Sequence, residues 1–181
     1  MVFHWVMDTP ATSTVTFDTT IGRCAARWTD AGISAVLLPG AAGRQGPAYE
    51  DATDLPPFVR RAIEGMIAVL AGGNPDFAGI PFDERDQDEL RREVYAATRD
   101  IPPGTTRSYG EVARAIGRPD AARDVGGALA RNPCPIITPC HRVVAANGAL
   151  TGFSAPGGLE TKRRMLELEG TPGYGQQVLF G

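Results

Sequence analysis

The chain has 181 residues, 43% of them apolar and 22% charged, with a formal net charge of −3. Such values suit one ordinary globular unit or two small ones, and exclude collagen, low-complexity disorder and coiled coil. No apolar stretch approaches the roughly 18 residues of a spanning helix, and the N-terminus lacks a charged segment followed by a long apolar run. A cytoplasmic protein without a membrane partner is therefore expected.

Taken in chain order, the first part reads as β. Ser13 to Phe17, Cys24 to Trp28 and Ile33 to Leu38 are short, rich in Val, Thr, Ile and aromatics, and separated by turn-formers such as Asp18, Gly22, Asp30 and Gly32. Three strands in a meander are predicted. Pro39 to Pro57 is dense in Gly, Ala and Pro and reads as a long surface loop. A helix over Pro57 to Leu70 is predicted from Pro at its start, the stripe Phe58, Ile63, Ile67 and Leu70, and Gly72-Gly73 at its end. Asn74 to Phe82 is the candidate linker. Beyond it the pattern turns helical. Asp86 to Arg99 carries Leu90, Val94 and Tyr95 on one stripe and stops before Ile101-Pro102-Pro103-Gly104. Ser108 or Tyr109 opens a short helix to Ile116, and Arg118-Pro119-Asp120 forms a turn, with Asp120 the expected N-cap of a helix to Arg131. Two short helices about a tight turn suit a helix-turn-helix; a helical hairpin in a core suits the pattern equally. A last helix is expected over Glu160 to Glu169.

Charge is uneven along the chain. From Ile101 to Leu150 six arginines stand against Glu111, Asp120 and Asp124, a balance of +3, so the remainder carries −6. One basic section on an acidic body is compatible with a local polyanion contact. Three cysteines (Cys24, Cys134, Cys140) and two histidines (His4, His141) are too few for a disulfide framework or a structural zinc site, so no metal is expected.

The most unusual stretch is Asn132-Pro133-Cys134-Pro135-Ile136-Ile137-Thr138-Pro139-Cys140-His141-Arg142-Val143. Three prolines in seven residues fix the backbone and deliver Cys140 and His141 in a set direction. A thiol with a pKa near 8.5 becomes a useful nucleophile when a neighbouring base or positive charge raises its thiolate fraction. His141 can act as that base directly or through one water, and needs an acceptor of its own. Glu167 and Glu169 on the last helix are the candidates. The competing reading is a buried packing cysteine beside an accidental histidine.

This run resembles the active-site signature of the O6-alkylguanine-DNA alkyltransferases, centred on Pro-Cys-His-Arg-Val. The resemblance extends upstream through Ile101 to Ala113 and Ala121 to Ala128, and downstream through Asn147 to Phe153, Gly157-Gly158-Leu159 and Leu168-Glu169-Gly170. It implies an α+β chain: residues 1–80 as a small antiparallel, RNase H-like β-sheet domain with one helix, and 86–181 as a helical winged-helix-like domain with a helix-turn-helix. It implies direct-reversal repair, with the alkyl group of O6-alkylguanine, and O4-alkylthymine as a further candidate, moving irreversibly to Cys140. Each molecule would act once, without a cofactor or an obligate protein partner.

On the same resemblance His141 activates Cys140 through a water, Glu169 holds the histidine, Asn132 braces the turn before the active-site run, and Tyr109 hydrogen-bonds the flipped guanine. Val143 and Ser154 would line the base pocket through backbone groups, with Phe153 and Leu129 as walls. Arg123 would fill the hole left in the duplex, and Ala122, Gly126 and Gly127 would give the helix too little bulk to be kept out of the minor groove. Phe153 stands where the family usually has tyrosine, and the loop Ser154 to Gly158 is longer than usual. Three other classes compete: a non-catalytic lesion-binding protein on the same scaffold, a cysteine hydrolase, and a helix-turn-helix regulator.

Overall fold

A computed structural model describes residues 11–43 and 45–175. The N-terminal stretch with His4 lies outside the described residues. The predicted meander is present: β1 (Ser13–Thr19), β2 (Gly22–Thr29) and β3 (Gly32–Leu37) form an antiparallel sheet in the order β1-β2-β3. Val15, Phe17, Cys24 and Ala26 point from the sheet into a core closed by α1 (Pro57–Leu70), whose Val59, Ile63, Met66 and Leu70 are fully buried. The loop read over 39–57 carries one turn of 3-10 helix at Tyr49–Asp51, and its Pro47 carbonyl accepts the Thr16 N–H at the sheet edge.

The linker does not hang free. Ile33 N–H donates to the Pro81 carbonyl at 2.9 Å and Asp83 N–H returns to the Ile33 carbonyl at 2.9 Å, so the linker adds a rung to the edge of β3. Gly32 allows that approach, because a Cβ there would sit 2.4 Å from the Pro81 oxygen.

The second part packs α2 (Glu89–Arg99), α3 (Tyr109–Ala115) and α4 (Ala122–Leu129) around Val94, Tyr95, Ile101, Val112, Val125 and Val143. Asp88 caps α2 by accepting the Arg91 N–H, and Ser108 with Glu111 closes a capping box on α3. The expectation for Asp120 fails. Ala121 N–H closes a tight turn onto Arg118, the N-cap falls on Ala121 without a side-chain bond, and α4 ends at Leu129 rather than Arg131. The last helix, α5 (Gly158–Leu168), starts two residues before the predicted one, entered through Gly157 at φ 82°.

Two features place the reactive segment. Val143–Val144 (β5) pairs in parallel with Arg107–Ser108 (β4), which brings the start of α3, and so Tyr109, beside the end of the proline-rich run. That run packs in the other direction: Cys134, Ile136 and Ile137 belong to the first core, and Val36 N–H donates to the Pro133 carbonyl at 2.8 Å. Cys140 therefore stands at the seam between two cores. Among the described residues no helix is long and apolar enough to cross a membrane.

Candidate active site

The run from Asn132 to Cys140 is held as a strap. The Asn132 side chain donates to the Thr138 carbonyl at 2.8 Å and accepts the Cys134 N–H at 3.0 Å, while Cys140 N–H donates to the same Thr138 carbonyl at 2.8 Å. Arg99 pins the strap from the α2 side by donating to Thr138 Oγ1 at 3.0 Å, with its guanidinium 3.7 Å from the centroid of the Phe82 ring. Ile136, fully buried, is the non-glycine residue at positive φ among the described residues, 75°. A β-branched residue there costs about 1–3 kcal/mol, tolerated where packing over-determines the backbone. The strap ends in a single 3-10 turn, Cys140–Arg142.

Behind Cys140 the buried charges are paired. His141 Nε2 lies 2.8 Å from Glu169 Oε1, and both side chains are inaccessible to solvent. Glu169 also accepts from Arg142 Nε at 2.9 Å and Nη2 at 2.7 Å, and Arg142 Nη1 donates to the Ile101 carbonyl. Burial alone would raise the Glu169 pKa, but the His141 and Arg142 contacts outweigh it and hold the carboxyl at about 2. An ionised carboxylate accepts, so the Nε2 atom carries the imidazole proton and Nδ1 presents a lone pair. Nδ1 is buried and has no hydrogen-bond partner among the described residues. Of the two acceptors the sequence left open, Glu169 meets the imidazole; Glu167 pairs with Arg163 and Arg164.

One expectation is reversed. Burial pushes the Cys140 thiol up, against the opposing pull of the Asn132 amide, the Lys162 ammonium and nearby backbone N–H groups. Burial likewise lowers the His141 pKa. At neutral pH the resting pair is thus a thiol and a neutral imidazole, suited to deprotonation during reaction rather than to a standing thiolate. In ultraviolet titration of the thiolate band, Cys140 should titrate above the range of an ordinary cysteine; a thiolate present at pH 7 would contradict this arrangement.

Cys140, partly buried, opens on two cavities. One, of about 420 Å³, is lined by Tyr109, Gly126, Leu129, Thr151, Phe153 and Ser154 among others. Tyr109 OH donates to the Thr151 carbonyl at 3.1 Å, and Ser154 Oγ ties its loop to the Ala130 carbonyl at 2.8 Å. The other, of about 240 Å³, shares Leu129, Phe153 and Ser154 and reaches Asn132 and the edge of β3. Val143 is not among the lining residues of either; it is fully buried, and its carbonyl accepts from Lys162 Nζ at 2.6 Å.

Sequence reasoning missed Lys162. Its ammonium is fully buried, donates also to the Thr151 carbonyl at 2.9 Å, and is lowered to about 8 by burial. It stitches the cavity loop to β5 while placing positive charge near the sulfur. A lysine on an amphipathic helix reads as solvent-facing, so no local signal marks it.

Outside the cavity, Arg123 is exposed at the second position of α4 and makes no ion pair among the described residues. Gly127, in the middle of α4, is exposed and has nothing within 4 Å of where a Cβ would stand; Gly126 meets only Tyr109, at 3.8 Å. Glycine inside a helix costs about 1 kcal/mol relative to alanine. Close packing within the molecule does not account for Gly127. Ala122, at the start of the same helix, is half-buried.

Comparison with known proteins bears on the same residues. Residues 89–171 match the family model of the 6-O-methylguanine DNA methyltransferase, DNA binding domain. The chain is 45% identical over 123 residues to the methylated-DNA–protein-cysteine methyltransferase of Mycolicibacterium paratuberculosis, covering 68% of this chain and 72% of that protein. It is 52% identical over 114 residues to that of Methanosarcina acetivorans, covering 63% and 70%. Among solved structures, it resembles Mycobacterium tuberculosis OGT in complex with DNA, with a TM-score of 0.71, 34% identity, and coverage of 90% of this chain and 96% of that one.

Proposed function

Because the chain belongs to the methylated-DNA–protein-cysteine methyltransferase family, we propose that it moves the alkyl group of O6-alkylguanine in duplex DNA onto Cys140, once per molecule. The observation that carries this is the sulfur at the mouth of a cavity of about 420 Å³, backed by the buried His141–Glu169 pair. A base inside a stack is out of reach of a nucleophile, so the nucleotide swings out of the duplex at a cost of a few kcal/mol. Arg123 fills the space it leaves, and the bare surface of α4 at Gly127 enters the minor groove, about 6 Å wide. Tyr109 turns its hydroxyl from Thr151 to the purine, and Phe153 and Leu129 flank the ring.

Transfer is an in-line displacement. The Cys140 proton passes to His141 Nδ1 through one water, the sulfur forms a bond to the alkyl carbon, and the C–O6 electron pair returns to the purine. Tyr109 gives its proton to the purine as this charge develops, so guanine leaves neutral, and the proton held on His141 returns through water to the tyrosinate. Asn132 keeps the strap in place and Glu169 stabilises the imidazolium. The product is a thioether, with no activated centre for water to attack, so Cys140 is consumed. The family reading also carries the finer architecture: an RNase H-like unit over 1–80, a winged-helix-like unit with a helix-turn-helix over 86–181, and a place in the cytoplasm. O4-alkylthymine is a second substrate on this reading.

Incubation with a duplex holding one O6-methylguanine should add a single CH2 to the intact mass, mapped to Cys140. Mass on Cys24 or Cys134, or continued turnover, would overturn the proposal. Arg123→Ala should slow transfer from duplex about tenfold or more while leaving reaction with free O6-methylguanine base near the wild-type rate, since only extrusion is impaired. Equal loss on both substrates would remove Arg123 from that role.

A further inference from the structure

The second cavity at Cys140 assigns work to the N-terminal sheet. We propose that the edge strand β3 and the turn after it, through Ala35, Leu37 and Ala41, wall the chamber that receives the O6 substituent and set the largest one that this chain accepts. This rests on the alkyl-transfer reading above.

In-line attack fixes where a substituent must go. As sulfur approaches along the extension of the O6–C bond, the other groups on that carbon lie in a plane across the line of attack. Anything larger than methyl projects sideways from Cys140. With the purine against Tyr109, Gly126 and Thr151, the open space on the remaining side of the sulfur is the chamber of about 240 Å³. A water takes about 30 Å³ in the liquid, and a methyl is of similar size, so methyl alone leaves most of the chamber unused.

The walls define the chemistry. Ala35, Leu37, Ala41, Pro133, Pro135 and Pro156 present hydrocarbon. The polar side chains in the lining are Asn132 and Ser154, and both are engaged: Asn132 with Thr138 and Cys134, Ser154 with Ala130. With so few polar groups in the lining, a charged substituent would bear most of its desolvation cost. The far wall is firm, since Val36 N–H is bonded to the Pro133 carbonyl of the strap. It is also lined with small residues. Alanine is disfavoured in strands, where larger β-branched side chains pack better, yet β3 places Ala35 toward the chamber. Val36 and Leu38 belong to the buried core, whereas Ala35 and Leu37 are half-buried, so bulk at Ala35 narrows the chamber without entering that core.

The test compares single-turnover rates on duplexes holding O6-methyl-, O6-butyl-, O6-benzyl- or O6-carboxymethylguanine, read by intact mass. Butyl and benzyl should react within about tenfold of methyl, and carboxymethyl more slowly than butyl by about tenfold or more. Ala35→Phe should lower the benzyl-to-methyl rate ratio about thirtyfold, with Ala35→Leu between it and wild type. Methyl transfer with no benzyl or butyl transfer, or an unchanged ratio in both variants, would overturn the assignment while leaving the alkyl-transfer reading intact. Failure of wild type on every substrate, methyl included, would sink that reading itself.

Discussion

Cys140→Ser is expected to lower the rate of methyl transfer from duplex DNA by more than about a thousandfold, with binding of the same duplex within about twofold of wild type. The two effects separate because the groups proposed to meet DNA, Arg123 and Gly127 on α4, do not line the cavity that holds the sulfur. Serine keeps the strap geometry, whose bonds run through backbone groups and Asn132. What it loses is the polarisable nucleophile. A hydroxyl is a far weaker nucleophile than sulfur towards an alkyl carbon, and its proton, much less acidic than a thiol's, is harder for His141 to remove. Single-turnover kinetics beside fluorescence anisotropy decides the point, and substantial transfer by Cys140→Ser would move the nucleophile elsewhere.

Glu169→Ala should cost about 3–5 kcal/mol of stability and transfer activity with it. The Arg142 side chain is 5% exposed and draws two of its hydrogen bonds from Glu169, so truncation leaves a buried guanidinium without its counter-ion. Against a total of roughly 5–15 kcal/mol for a domain, that loss is readable as a large drop in urea midpoint; a loss under about 1 kcal/mol would contradict the pairing. The pH dependence has a defined sign. The carboxyl is held at about 2 against an ordinary 4.5, so its contribution is complete above pH 4.5 and disappears as pH falls toward 2. Glu169→Gln should therefore show a shallower loss of stability across that window than wild type.

The elements with a strong local signal were legible. Helix α1 occupies the predicted Pro57–Leu70, with its proline start and glycine stop, and the three strands fall within two residues of their predicted ends. The β4–β5 pair, two residues on each side, is too short to leave a periodic pattern, although it carries Tyr109 to the site. Asp120 failed as a cap because the turn after Arg118 closes one residue later than the spacing suggested. Cys140, Leu129, Phe153, Ser154 and Tyr109, far apart in the chain, do line one cavity. The ionisation state of the sulfur was not legible, because burial by distant segments outweighs its sequence neighbours. The same holds for Lys162, whose partners are carbonyls 11 and 19 residues away.

The way the strap is shared has a further consequence for how this chain can be divided. The composition break near residues 74–82 invites a cut there, yet Cys134, Ile136 and Ile137 are buried against the segment such a cut removes. The reactive half is no portable cassette. A fragment beginning at residue 86 would bare those three side chains in water, and with them the anchorage that aims the thiol. Any swap of the first half between relatives must then preserve its grip on the strap.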